Sequence, residues 1–260
     1  MDLPLLGHSI NENSVFTPES LLARAADMRG ASDERILRCC VLDGDNELGE
    51  VAKSVFGVTN CNSWPCFHTT MLTIHADGLE MGLIGGTVGA PFAVLIAEQL
   101  IALGYRHVVG YSSAGSINNT LTLLYLMVPD RAIRDEGTSF HYLPPAATVE
   151  AVGELPSVLA RQAQSCGLEV HRGTTWTTDA PYCETQTQVD QHRAGGVLSV
   201  EMEAAALMAL AKKRGAEIAS LLHVTNAMGT QTTDFNKGPD DINERVIRCC
   251  LATFAEAIVD

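Results

Sequence analysis

From about residue 37 onward, short continuous apolar runs alternate with longer segments of helical periodicity. This alternation constrains the fold more than any other feature of the chain. The runs fall at residues 37–42, 70–75, 81–84, 107–110, 124–128, 169–177, 197–200 and 217–224. Several lack the polar–apolar alternation of a half-exposed strand, as strands covered on both faces do. The helices between them have readable ends. Pro91 suits a first helical turn, FAVLIAEQLIAL supplies the body and Gly104 the stop. Residues 203–213 are rich in Ala and Leu and run into Lys212, Lys213, Arg214 and Gly215, charges that complement a helix C-terminus. The last helix opens with Asp241 and Glu244 at capping-box spacing, and Val246, Cys250, Phe254 and Ile258 fall on one stripe. Strands alternating with helices imply an α/β layered domain with a mostly parallel or mixed sheet, and the fold expected is three-layer αβα around a central twisted, mixed sheet. Residues 1–260 read as one domain without repeats or low-complexity linkers, in which 1–35 form a peripheral arm or helix.

Charge narrows the function. Seventeen basic residues stand against 31 acidic ones, a formal charge of −14. A nucleic-acid backbone would be repelled by such a surface, and a free phosphate ion gains nothing from it. The N-terminal MDLPLLGHSI has no basic n-region, and residues 83–97, the most apolar stretch, are broken by Gly85, Gly86, Gly89 and Pro91. The expectation is a cytoplasmic protein that neither crosses nor binds a membrane. Of the eight cysteines, Cys39–Cys40 and Cys249–Cys250 sit in apolar segments as small hydrophobes. Cys61, Cys66 and His68 lack a second ligand cluster, so no metal is expected.

Three segments carry chemistry. The turn Gly85-Gly86-Thr87-Val88-Gly89-Ala90-Pro91 joins a strand to a helix, where N–H groups can face a ligand. It equally suits a plain tight turn. Its spacing fits neither the dinucleotide fingerprint nor a P-loop, which argues against a Rossmann enzyme. In Gly110-Tyr111-Ser112-Ser113-Ala114-Gly115 the glycines lie too far apart for a nucleophile elbow, but a polar turn at a strand end can meet ligand hydroxyls. In Val200-Glu201-Met202-Glu203-Ala204, two carboxylates flank a methionine where a strand gives way to a helix. A carboxylate there can accept hydrogen bonds from a vicinal diol, and a thioether offers a soft surface to a sugar or base. The competing reading is a solvated helix start.

The runs VEMEAAALMALA, GGTVGAPFAVLIAEQLIALG and VVGYSSAGSI, in their relative order, resemble nucleoside phosphorylase family I, which holds uridine and purine nucleoside phosphorylases and several nucleosidases. RDEGTSFHYLP and TTWTTDAPYCET look closest to uridine-phosphorylase-like members, and the resemblance covers roughly residues 37–258. It implies cleavage of a nucleoside N-glycosidic bond without an organic cofactor, phosphate being the co-substrate of a phosphorylase. Glu203 would hold the ribose 2′- and 3′-hydroxyls, Met202 would pack on sugar and base, and Glu201 would support the same pocket. Gly86, Thr87, Gly89 and Ser113 would face the nucleophile. Asp179, Tyr182 and Glu184 would lie near the base, and Asn226 falls where purine-specific relatives carry an acid. Because an amide donates a hydrogen bond but not a proton, the proton donor would be Asp179, Glu184 or a water. A homo-oligomer, a dimer or a hexamer of dimers, is implied, with His8, His68 and Phe140 the residues to inspect at a shared pocket.

The sequence departs from that family where phosphate is bound. Gly44-Asp45-Asn46-Glu47-Leu48 lacks the proline and arginine of the phosphate motif, Gly110 replaces a second arginine, and Phe92 stands for the serine after the turn proline. Arg131, Arg134 and Arg193 are the candidates to substitute. A phosphorylase, a nucleosidase using water, and a nucleoside-binding protein without catalysis all fit the residues. Cys183 replaces an expected arginine, which points to an altered base pocket.

Overall fold

The computed structural model describes residues 3–31, 37–76, 78–228 and 237–259. The strands within them are β1 (Cys39–Asp43), β2 (Gly57–Asn60), β3 (Leu72–Ala76), β4 (Leu79–Gly85), β5 (His107–Ser116), β6 (Tyr125–Asp135), β7 (Thr148–Glu150), β8 (Val170–Thr178), β9 (Val197–Glu201) and β10 (Glu217–Ala227). The helices are α1 (Pro18–Arg29), α2 (Leu48–Val55), α3 (Ala90–Ala102), α4 (Leu155–Ser165), α5 (Gln186–Ala194), α6 (Ala204–Arg214) and α7 (Ile242–Val259).

Strand β1 shows why the apolar runs are continuous. Cys39 and Val41 face one core, with Leu48 of α2, Leu159 of α4 and Val246 of α7. Cys40 and Leu42 face the other, with Ala93 of α3 and Leu207 of α6. Alternate side chains thus meet helices on opposite faces, and every β1 residue is buried. This is the layered, mixed-sheet architecture expected from the sequence. Helix α6 is buried along Ala204–Ala211 and stops at Gly215 in the left-handed conformation. A helix apolar on all sides needs such enclosure, and truncating a core leucine such as Leu210 would cost about 2–5 kcal/mol.

The sheet is more than a layer. Strand β5 runs parallel to β1 and β10 along its first part, then pairs antiparallel with β9 through Gly115 and Ser116. Strand β9 pairs β8, β8 pairs β6, and β6 pairs β10, so five strands close into a ring. The sequence expectation ended two of these strands at Gly110 and Val128, because the following residues are polar. They continue to Ser116 and Asp135. Register shifts at Val224/Asn226, Pro129/Arg131 and Thr174/Thr175 bend the strands as closure requires. Short β2 and β7 carry too few apolar residues to register as strands in the sequence.

The N-terminal arm contains α1, entered through a capping box between Thr17 and Ser20 and ended by left-handed Gly30. Among the described residues no helix is long and apolar enough to cross a membrane.

Candidate active site

The site starts where β9 passes into α6. Glu201, the last residue of β9, folds its carboxylate over the first turn of the helix. Oε2 accepts the N–H groups of Glu203 and Ala204, both at 2.7 Å. Oε1 accepts the Thr177 hydroxyl at 2.6 Å and the Thr175 hydroxyl at 3.4 Å. Thr177 Oγ1 in turn accepts the Ala205 N–H at 2.9 Å. Exposed helix N–H groups and the positive end of the dipole are thereby satisfied from β8 and β9. Burial raises the Glu201 pKa, and the hydrogen bonds that favour the charged form oppose that rise.

Glu203 stands at the N-terminal boundary of α6 and turns toward the glycine turn. Oε1 accepts the Gly89 N–H at 2.6 Å, and Oε2 accepts the Ser112 hydroxyl at 3.1 Å. Its side chain is therefore held between α3 and β5, in contact with a small interior gap lined also by Thr87, Gly110 and Leu207. Burial, reinforced by the charge of Glu201, pushes the Glu203 carboxyl up to about 7. The glycines make this possible. Gly86 and Gly89 have φ of 75° and 89°, a region that side-chain-bearing residues avoid. The N–H groups of Gly86 and Thr87 donate to the Asp43 carbonyl, tying the turn to β1 and leaving the Gly89 N–H for Glu203.

A second cluster was not legible in the sequence. The N–H of Ser113, itself exposed, donates to Asp45 Oδ2 at 2.5 Å. Asp43 Oδ2 accepts the Leu48 N–H at 2.7 Å, whereas its buried Oδ1 has no partner among the described residues. Burial raises the Asp43 carboxyl to about 6, against the pull of backbone N–H groups. Glu47 bonds Lys237. The turn between β1 and α2, where a phosphate-binding arginine was looked for in the sequence, therefore presents carboxylates. The only sequence signal was the spacing of acids at 43, 45 and 47.

The residues expected near the base are spread out. Asp179 is exposed and accepts the Gly137 N–H at 2.8 Å, linking the end of β8 to the loop after β6. The Tyr182 ring is fully exposed. Glu184 is half-buried, its Oε2 lies buried without a partner among the described residues, and burial raises its pKa. Asn226 is half-buried on β10 opposite Gly115, and its amide points at the sulfur of Met228, 3.7 Å away. Met202 is half-buried between the two glutamates. Among the described residues, no hydrogen bond joins Asp179, Tyr182, Glu184 or Asn226 to Glu203.

The three arginines considered as replacements are engaged elsewhere. Arg131 pairs with Glu150 at 2.9 Å. Arg134 donates to Ser139 Oγ and the Pro144 carbonyl, both at 2.8 Å, and lies 4.2 Å over the Phe140 ring. Arg193 pairs with Asp190 at 2.6 Å and donates to the Ile117 carbonyl. His8 stacks on His141 of the same chain with ring centroids 4.7 Å apart, and His68 meets the Phe92 ring edge-on.

The chain is similar to known proteins at low identity. The chain is 27% identical over 187 residues to a guanosine phosphorylase from Halorubrum lacusprofundi, covering 67% of this chain and 76% of that protein. It is 28% identical to a uridine phosphorylase from Thermococcus kodakarensis over 151 residues, 53% of this chain and 54% of the other. The uridine phosphorylase of Escherichia coli is 24% identical over 153 residues, 54% of this chain and 60% of that protein. The chain thus spans little more than half the length of these two uridine phosphorylases. The model of the phosphorylase superfamily matches residues 38–259, nearly the whole of the layered domain, and the chain belongs to that superfamily.

Proposed function

We propose that this chain is a nucleoside phosphorylase, cleaving the N-glycosidic bond of a nucleoside to give a free base and a pentose 1-phosphate. The observation that carries this reading is the buried Glu203 carboxylate, fixed between the Gly89 N–H and the Ser112 hydroxyl. Each oxygen keeps a free lone-pair direction for a ribose hydroxyl. As the C1′–N bond breaks, positive charge builds on the ribose ring. A preorganised carboxylate on the 2′- and 3′-hydroxyls stabilises that charge without having to reorganise. Met202 packs on the sugar, and Glu201 holds the Glu203 backbone in place through the start of α6. The departing base needs a proton, and Glu184 suits the role better than Asp179. Its carboxyl is raised by burial and has an unpartnered oxygen, whereas Asp179 is occupied by a turn N–H. Asn226 would donate a hydrogen bond to the base.

One observation favours a second reading, hydrolysis. The Asp45 carboxylate occupies the Ser113 N–H, where a phosphate oxygen would otherwise be received, and an acid so placed can orient a water. Base release from a panel of purine and pyrimidine nucleosides, with and without inorganic phosphate, separates the readings. Phosphate-dependent release with pentose 1-phosphate as product supports phosphorolysis. Phosphate-independent release of free pentose supports the nucleosidase, and no release from any nucleoside removes both.

A further inference from the structure

We infer that Thr59, His75 and Glu80 form a nucleophile–base–acid triad at the sheet edge, a second catalytic site that hydrolyses small carboxylic esters. The three residues stand on the adjacent antiparallel strands β2, β3 and β4. His75 pairs in register with Glu80 on one side and with Gly57 on the other. Residues two apart along a strand share a face, so Thr59 lies on the same face as His75 and Glu80. Because Gly57 carries no side chain, the imidazole has room to lean along β2 toward Thr59. Its Nε2 lies 2.9 Å from Thr59 Oγ1, and its Nδ1 lies 3.3 Å from Glu80 Oε1.

Hydroxyl and carboxylate thus meet opposite nitrogens of one ring, the order that general-base activation of a hydroxyl needs. With the ring proton on Nδ1, toward Glu80, Nε2 is free to accept the Thr59 proton. A cross-strand polar ladder needs neither that order nor a cavity beside it. Here His75 and Glu80 line a pocket of about 580 Å3, a size that suits a small molecule, together with Leu37, Arg38 and Leu79. The His75 and Glu80 side chains are 40% and 41% exposed, so an ester and water can reach the ring directly. The pocket lies at the start of β1 and β4, the opposite end of those strands from Asp45 and the glycine turn. In the reaction, Thr59 Oγ1 adds to the ester carbonyl carbon as its proton passes to His75 Nε2. The imidazolium, stabilised by Glu80, gives that proton to the departing alcohol as the C–O bond breaks. Water then attacks the acyl-threonine, loses its proton to the same nitrogen, and releases the acid while Thr59 regains its hydrogen. Arg38 supplies the positive charge available to the carbonyl oxygen.

Hydrolysis of 4-nitrophenyl acetate by the full chain, with the acetyl group located by peptide mass spectrometry after an acid quench, tests the inference. Wild type should carry acetyl on Thr59, and Thr59→Val and His75→Gln should each lower the enzymatic rate by about a hundredfold. Thr59→Ser, which keeps the hydroxyl, should retain the activity, and Glu80→Gln should lose about tenfold. Urea midpoints equal to that of wild type show that the variants are folded. Nucleoside cleavage should be unchanged in all of them, since none of the three residues touches Glu203. Equal hydrolysis by wild type and Thr59→Val, acetyl found on lysines or His75 but not on Thr59, or no hydrolysis above buffer would overturn the inference. Any of these results would leave the nucleoside reaction untouched.

Discussion

The proposed sugar side and the proposed base side of the site are built in opposite ways. Glu201 and Glu203 are buried and hydrogen-bonded at every carboxylate oxygen, to strands β5 and β8, the glycine turn and the start of α6. Tyr182 is fully exposed, and Asp179 is exposed with one backbone partner. A rigid sugar clamp and an open base side would conserve the bond-breaking chemistry while leaving the base free to vary.

The comparison can be broken most directly at Glu203. Glu203→Ala should lower kcat/KM for nucleoside cleavage by about 10²–10³-fold, the loss expected when a preorganised charge contact is removed. Asp179→Asn should cost less than tenfold. Equal losses in steady-state kinetics would erase the distinction between the two sides.

The next largest effect concerns stability. Glu201→Gln puts an NH2 group in place of one carboxylate oxygen, and on that side the donors from the start of α6 or from the threonines lose their acceptor. About 2 kcal/mol should be lost, read as a lower midpoint in urea unfolding, because a buried network is left partly unsatisfied. Glu184→Gln, on the loosely held side, should leave the midpoint nearly unchanged and lower kcat.

A pH series sharpens the contrast further. The folded Glu203 carboxyl lies at about 7, above its ordinary 4.5, so the native state holds an extra proton between those limits. Its contribution to stability is therefore greatest at low pH and is lost as pH rises toward 7. Asp43, raised from 3.8 to about 6, acts in the same direction. Activity should move the opposite way, kcat/KM rising with pH until Glu203 is ionised. Between pH 5 and pH 7 the thermal midpoint of wild type should fall relative to that of Glu203→Gln, while its kcat/KM rises relative to the variant's. A kcat/KM profile flat across pH 5 to 7 would count against Glu203 as the ionised clamp. The smallest expected effect is Tyr182→Ala, within about 0.5 kcal/mol in stability, since its ring touches little.

Glu203 and Gly89, the residues proposed to form a sugar clamp, stood out in the sequence because their settings are local. A carboxylate just before an alanine-rich helix and a glycine turn that requires positive φ leave marks within a few residues of chain, as Glu203 and Gly89 do. The Glu201 network was less readable, because its partners Thr175 and Thr177 are 26 and 24 residues away. The same holds for Asp45 and Ser113, separated by 68 residues yet bonded through a backbone N–H.

The alternation of apolar runs and helical segments, by itself, determined a layered α/β chain with strands covered on both faces, since burial on two sides leaves no polar alternation to misread. Only the tertiary structure decided that β5, β6 and β10 run on through polar residues and close with β8 and β9 into a ring. Strand length there is set by long-range pairing and bulges, and hydrogen bonds to a neighbouring strand satisfy a polar segment that local sequence marks as a loop. It also decided that Arg131, Arg134 and Arg193 are spent on other partners, because ion pairing and hydrogen bonding depend on which surfaces folding brings together.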